Sequence, residues 1–353
     1  MSGVQATDDL VDQRLPEEQL HARVRFACRK LLRWWCALAD SDIQVMPISG
    51  GITNTLLKVT PSNSSIAPVV IRIYGHNSEK FIDRMREMEY ITLVSDKGFG
   101  SHVLGTFKNG RIESFLPGRS LEPKELSSPV FSVLIAQSLW RFHRIKPKER
   151  SPELWPTVRA FYLQAQEIQW NSADKQAKFN RLSLSRYLQE YEELEEMSNR
   201  LASPVVLCHN DLLWGNFMYD EAAGTMQLID FEYARCGYRG YDIGNHFNEY
   251  AGFECKYERY PNAEQQERFC RSYLMVEHNC LAESVPECSC RRLMCEANFF
   301  SLASHLFWGT WSVLQAHYSQ IDFDFLEYAE LRFAEYHKQK ASRLQATASF
   351  LAQ

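Results

Sequence analysis

The sequence predicts an α+β chain in two lobes, a small β-rich N-terminal lobe and a larger, mostly helical C-terminal lobe. Three observations predict it. Short β-like runs crowd the first third of the chain, long helical stretches fill the remainder, and Pro117-Gly118 interrupts the chain between them. At 353 residues there is room for one large or two medium domains of about 150 residues each. The expected division is a flexible tail over residues 1–20, an N-terminal lobe over 21–117 and a C-terminal lobe over 118–353.

The first twenty residues carry Asp8, Asp9 and Asp12 and lack an apolar run, so they read as a loose polar tail and not as a secretory signal. Over 21–39 the spacing of Val24, Phe26, Ala27, Leu31, Leu32 and Trp35 suits a helix. Residues 43–48, 55–60 and 68–74 are β-like, the first two flanking a glycine turn at Ser49-Gly50-Gly51. A helix is expected over 81–94, with Met85, Met88, Ile91 and Thr92 on one stripe. After Gly98-Phe99-Gly100, strand-like runs at 102–107 and 111–116 are joined by the hairpin signal Asn109-Gly110. Beyond Pro117-Gly118 the helical stretches are 129–143, 158–169, 181–201, 264–280, 291–318 and 325–337. A compact β-rich segment, 205–230, lies among them. There is no internal repeat and no low-complexity tract.

Composition excludes several function classes. Hydrophobic residues at 45% and charged residues at 24% describe a globular chain with a sizeable core. Twenty-one Phe, sixteen Tyr and eight Trp supply either core or a ring-lined pocket. A net charge of −5 without a Lys/Arg run gives no footprint for nucleic acid or for an anionic membrane. Residues 298–316 contain no Asp, Glu, Lys or Arg, but Asn298, His305, Gln315 and several hydroxyls are costly in lipid. A buried core helix is expected there, with no stable membrane insertion. Ten cysteines at irregular positions, without secretory context, are expected as reduced thiols of a cytoplasmic protein. The cluster Cys280, Cys288, Cys290 and Cys295 lacks the paired C-x-x-C knuckles of a zinc site.

Chemistry concentrates in His209-Asn210-Asp211-Leu212-Leu213-Trp214-Gly215-Asn216 and in Ile229-Asp230-Phe231-Glu232, which follows a turn at Ala223-Gly224. A strand, a loop with a carboxylate and an amide, a short hairpin and a second carboxylate form a divalent-metal and base arrangement. Phosphoryl transfer needs little else: Mg²⁺ on the phosphates, an aligned acceptor hydroxyl and a group to take its proton. Asp211 and Asn216 keep the Asp-to-Asn interval of H-R-D-x-x-x-x-N, and Asp230 stands where D-F-G places its metal ligand. Turn capping by Asn and Asp is the bland alternative.

Phosphate contacts would come from the first lobe. Ser49-Gly50-Gly51-Ile52-Thr53-Asn54 offers glycines for close backbone approach, with Thr53 and Asn54 as donors, or else a plain hairpin. Val69-Val70-Ile71-Arg72 has the shape of V-A-I-K with Arg for Lys, and Glu87 on the next helix is its expected partner; surface charges are the alternative. Trp308 and Trp311 share a helix face and, with Tyr233 and Tyr328, form either an aromatic box for an ammonium group or ordinary core. Glu249 could supply the acceptor that an ammonium group requires. His209, His246 and His305 read as structural.

At these residues the sequence resembles the choline/ethanolamine kinase family, whose fold is related to eukaryotic protein kinases and aminoglycoside phosphotransferases. The likeness covers residues 48–339. It includes Val70-Ile71-Arg72-Ile73-Tyr74-Gly75, Cys208-His209-Asn210-Asp211, Ile229-Asp230-Phe231-Glu232-Tyr233, Tyr241-Asp242-Ile243-Gly244-Asn245-His246-Phe247 and Leu302-Ala303-Ser304-His305-Leu306-Phe307-Trp308-Gly309-Thr310-Trp311. The resemblance implies a bilobal protein-kinase-like fold whose 21–117 lobe binds ATP and whose 118–353 lobe carries catalysis and substrate. It implies Asp211 as catalytic base, Asn216 and Asp230 as Mg²⁺ ligands, and Arg72 with Glu87 as an ATP clamp. It places Glu249, Tyr233, Trp308, Trp311 and Tyr328 around a small amino alcohol, and it implies a homodimer.

Within the family, Phe247-Asn248-Glu249-Tyr250-Ala251-Gly252 and Ile321-Asp322-Phe323-Asp324-Phe325-Leu326 resemble the ethanolamine branch, whereas Gly215 before Asn216 resembles the choline branch. The expected activity is ATP-dependent phosphorylation of ethanolamine to phosphoethanolamine, the opening step toward phosphatidylethanolamine. A choline kinase or a dual-specificity kinase is the alternative. A protein kinase is disfavoured because the full glycine-loop, D-F-G and A-P-E set is missing. A non-catalytic binding module is disfavoured by the joint presence of Asp211, Asn216 and Asp230.

Overall fold

The structure, a computed structural model, describes residues 4–48, 54–75, 78, 82–148 and 150–353. It divides into two compact units, Met1–Gly118 and Arg119–Gln353.

The first unit runs β1 (Gln5–Thr7), α1 (Glu17–Leu31), β2 (Ile43–Ile48), β3 (Asn54–Pro61), β4 (Val69–Tyr74), α2 (Arg84–Ser95), β5 (Val103–Phe107) and β6 (Gly110–Ser114). Among the described residues its sheet has the order β1-β5-β6-β4-β3-β2. Register sorts the side chains by chemistry. Leu57 lies opposite Ile71, and Ile71 opposite Ile112, on the face that packs with Val24, Cys28 and Leu31 of α1. One residue along, Arg72 lies opposite Arg111, so the pleat turns these two guanidinium groups to the other face.

Two expectations are corrected here. Residues 1–20 are not a loose tail throughout: β1 lies parallel to β5, and Val11 is buried in the core. The Val11 amide donates to Asn109 Oδ1 at 3.0 Å, and Asn109 Nδ2 donates back to the Val11 carbonyl at 2.9 Å. A three-residue strand and one apolar plug in an acidic segment are too short to generate a periodic signal. The β5–β6 hairpin forms, but Gly110 opens β6 rather than occupying the turn. Glycine is required there by close approach, since a Cβ would sit 2.2 Å from the Arg72 carbonyl oxygen.

The second unit runs β7 (Arg119–Ser120), α3 (Pro129–His143), α4 (Leu154–Gln166), α5 (Ala173–Leu182), α6 (Tyr187–Leu201), β8 (Val205–Cys208), β9 (Phe217–Asp220), β10 (Thr225–Leu228), β11 (Arg235–Tyr238), α7 (Arg239–Glu249), α8 (Ala263–His278), α9 (Glu287–Tyr318) and α10 (Phe325–Leu351). Two small antiparallel sheets, β10-β9-β7 and β11-β8, fix the loops that follow β8 and β10. Helix α9 is the axis of this unit, buried continuously from Phe299 to Ala316. Its crossings are close because glycines line them. A Cβ on Gly244 would lie 2.3 Å from the Ala297 carbonyl oxygen, and one on Gly309 would lie 2.6 Å from the Phe333 ring. Among the described residues no helix is long and apolar enough to cross a membrane. The ten cysteines, all among the described residues, form no disulfide.

Candidate active site

The loop after β8 is shaped by a buried carboxylate on α7. Asp242 accepts the backbone amides of His209 and Asn210, each at 2.7 Å, one on each oxygen. Its Oδ2 also meets His143 Nε2 at 3.0 Å, and His143 Nδ1 meets the Tyr273 hydroxyl at 2.8 Å. Asn210 adopts a left-handed backbone, φ +67°, a conformation that asparagine tolerates. Its side chain donates to the Tyr233 carbonyl at 2.8 Å, and its own carbonyl accepts from Asn245 Nδ2 at 3.0 Å. Asp211 is thus presented from a backbone held on both sides.

Asn216 ties Asp211 to Ile229, the residue before Asp230. Its Nδ2 donates to Asp211 Oδ2 at 2.9 Å and to the Asp211 carbonyl at 2.8 Å, while its own carbonyl accepts the Ile229 amide at 3.0 Å. Asp230 follows with φ +66°, a turn away from the strand direction that few non-glycine residues adopt outside functional loops. With Asn216 Nδ2 committed to Asp211, the amide oxygen is the atom left for another partner. An amide oxygen beside a carboxylate is a hard-oxygen donor set of the kind magnesium takes, so these residues fit that ion.

The electrostatics are those of a site for cations. Burial pushes the Asp211 carboxyl well above its ordinary value, and the charges of Glu249, Asp230 and Glu232 push the same way, against the Asn216 hydrogen bond. Burial disfavours the charged form of His209, His246 and His305. His209 Nε2 faces the Ile229 carbonyl at 2.9 Å while its Nδ1 accepts the Asp211 amide at 3.3 Å, and burial lowers its basicity. His246 contacts the Leu212 carbonyl at 3.0 Å and is pushed down to about 4 by burial. His305 is buried and held well below the usual histidine range. Burial thus makes all three weak bases.

The structure gathers most of the aromatic residues singled out from the sequence. Tyr233, Trp308 and Trp311 form one edge-to-face group with centroids 5.1–6.5 Å apart, and Trp311 Nε1 donates to the Tyr233 hydroxyl at 2.9 Å. Tyr328 belongs to a neighbouring group with Phe253 and Phe323, which reaches Trp311 through Phe325. Glu249, in the last turn of α7, is buried and lies 3.5 Å from the Arg332 guanidinium.

In the first unit, Gly50, Gly51 and Thr53 lie outside the described residues. Asn54 opens β3, buried, with its Oδ1 within 3.5 Å of Arg84. Arg72 and Glu87, expected as a pair, belong to one buried chain of charges that runs through Glu113 and Arg111. Arg72 Nε donates to Glu113 Oε1 at 2.9 Å, Arg111 bridges that same oxygen at 2.6 Å to Glu87 at 2.7 Å, and Arg84 closes on Glu87 at 2.7 Å. The register that sets Arg72 against Arg111 calls for a carboxylate between them, and Glu113 of β6 is nearer in the ladder than Glu87 on α2.

Asp242 and Asn245 fall within a family stretch of the sequence but carry no assigned role there. Arg332 was missed, its signal being a charge inside the apolar stripe Phe325, Ala329, Phe333 and Tyr336 of α10.

The family described as choline/ethanolamine kinase matches residues 45–337 of this chain. A protein named probable ethanolamine kinase from Arabidopsis thaliana is 41% identical over 335 residues, 94% of this chain and 88% of that one. Among solved structures, an ethanolamine kinase of Plasmodium vivax aligns with a TM-score of 0.83 at 31% identity, over 93% of this chain and 90% of that one. A choline kinase of Cryptosporidium parvum aligns with a TM-score of 0.78 at 26% identity, over 94% and 99%.

Proposed function

The chain belongs to the choline/ethanolamine kinase family, and from that membership we propose that it transfers the γ-phosphoryl group of ATP to the hydroxyl of ethanolamine, giving phosphoethanolamine and ADP. The observation that carries the reading is the pairing of Asn216 with Asp211 through the two hydrogen bonds of Asn216 Nδ2, with the Asn216–Ile229 backbone bond holding the residue that precedes Asp230. Asp211 orients the alcohol and takes its proton. The freed oxygen pair forms a bond to the γ-phosphorus, and the bridging P–O bond breaks with its electron pair leaving on ADP. Asn216 and Asp230 would hold magnesium, which when bound offsets negative charge on the phosphates. Arg72, anchored by Glu113, is assigned to the α- and β-phosphates.

Two features support a small cationic amine as acceptor. Tyr233, Trp308 and Trp311 offer ring faces and edges of the kind that attract ammonium groups, and Glu249 offers a buried carboxylate for N–H donors. The raised proton affinity of Asp211 fits this role. A bound ammonium and a metal ion each favour the ionised carboxylate that the reaction needs. Choline is the second reading, because ring faces hold a quaternary ammonium that has no N–H to give Glu249. Phosphorus NMR of the products from ATP with equal ethanolamine and choline tests both. Phosphoethanolamine as the main product supports the proposal, phosphocholine alone would replace it with the second reading, and neither product would remove it.

A further inference from the structure

We propose that Arg332 positions Glu249 for a substrate ammonium group and thereby sets a preference for amines that carry N–H bonds. This rests on the amino-alcohol kinase reading above and assigns specificity within the same site.

Arg332 lies on α10 one turn beyond Tyr328 and is only 2% exposed. A buried guanidinium is stable only where partners compensate its lost hydration. Its Nη1 donates to the Tyr328 hydroxyl at 2.9 Å and lies 3.5 Å from Glu249 Oε1; its Nη2 donates to the Ser304 carbonyl at 3.1 Å and hydroxyl at 2.8 Å. One arginine therefore holds two residues assigned to the amine pocket, and it is anchored on α9 from behind.

Another buried pair in the same unit is joined differently. Arg239 grips Glu296 by three hydrogen bonds of 3.0–3.2 Å that occupy both carboxylate oxygens. That carboxylate is closed. Glu249 meets Arg332 by a single oxygen at a distance longer than a charge-assisted hydrogen bond, so its acceptor capacity remains for a third party. Burial drives the Glu249 carboxyl toward its neutral form, and Arg332 is the charge that opposes it. Without the guanidinium, the carboxyl would more readily take up a proton and cease to be a full acceptor.

The anchor is continuous with the catalytic loop. Ser304 donates to Asn245 Oδ1 at 2.8 Å, the same oxygen accepts Trp308 Nε1 at 2.8 Å, and Asn245 Nδ2 donates to the Asn210 carbonyl at 3.0 Å. A buried hydrogen-bonded path thus runs from the residue before Asp211 to the group that holds Glu249.

Ethanolamine brings three N–H donors, its N-methyl and N,N-dimethyl derivatives fewer, and choline none. The test is steady-state kinetics of the full chain and of Arg332→Met and Arg332→Lys with these four amines, alongside KM for ATP and melting curves. Arg332→Met is expected to raise KM for ethanolamine roughly 10- to 100-fold, with the penalty shrinking at each methylation and KM for ATP unchanged. Arg332→Lys, which keeps the charge but loses the fork, is expected to lie between. Equal penalties on all four amines, or none, would overturn the proposal. Should Arg332→Met not fold, the lysine variant decides by the same criterion. Wild-type enzyme that phosphorylates none of the four amines would overturn the kinase reading itself, whereas wild-type turnover with uniform penalties overturns only the role of Arg332.

Discussion

At Glu113 a single carboxylate oxygen meets two buried guanidinium groups, Arg72 at 2.9 Å and Arg111 at 2.6 Å. Burial alone would raise this carboxyl, but the two arginines outweigh it and hold the group down at about 2. A folded-state value below the ordinary 4.5 means stability that is present above that value and is lost as pH falls through the window from 4.5 to about 2. Glu113→Gln removes one negative charge from between two buried cations, so an unfolding free energy lower by about 3–5 kcal/mol at pH 7 is expected. Its deficit against wild type should narrow as the pH falls through that window; chemical denaturation at several pH values reads both. The proximity of Asp211 and Asn216 was legible in the sequence because a loop's chemistry is written at fixed intervals along the chain. The Arg72–Glu113 contact was not, since cross-strand register decides it. Arg332 was not, because what a buried arginine holds depends on helices far apart in sequence.

Helix α7 is the element on which the site depends most. Its first turn bears Asp242, which shapes the Asp211 loop, and its last turn bears Glu249, while every residue between is buried. At eleven residues, with only Tyr241, Ile243 and Phe247 as large apolar side chains among polar ones that are also buried, α7 was not picked out as a helix from the sequence. Helix α3 sits at 129–143 as expected because its ends are marked by Pro129 and basic residues, whereas the stretch expected at 181–201 is divided at Ser183, φ +49°. The approach of α7 to α9 is fixed by Gly244. Gly244→Ala forces its Cβ against the Ala297 carbonyl, and a loss of about 1–3 kcal/mol is expected from the backbone shift that follows. Because α7 holds the Asp211 loop, kcat should fall in the same variant under conditions where it remains folded. Melting and turnover at 20–25 °C check this; a variant with unchanged kcat would detach α7 from loop geometry.

Across the whole molecule the ten cysteines form no disulfide, and burial pushes several thiols up, Cys28 to about 12 and Cys290 to about 11. Such thiols are poor nucleophiles. Thiol titration of the native chain should therefore begin at the exposed Cys36 and Cys288, reach ten only after denaturation, and leave the melting temperature indifferent to reductant. The two compact units differ as composition along the chain suggested, strands in the first and helices in the second, because β-branched runs and helical stripes are local signals. The N-terminal strand and the buried charge networks are products of long-range pairing and left no such signal. In the second unit a buried polar interior serves one loop, the loop that carries Asp211, the proposed base. The most direct test is kcat of Asp211→Asn with saturating ATP, magnesium and ethanolamine, the amide preserving shape while removing the proton acceptor. A fall of roughly 10²- to 10⁴-fold with KM for ATP near the wild-type value is predicted; turnover within a few-fold of wild type would contradict Asp211 as the base.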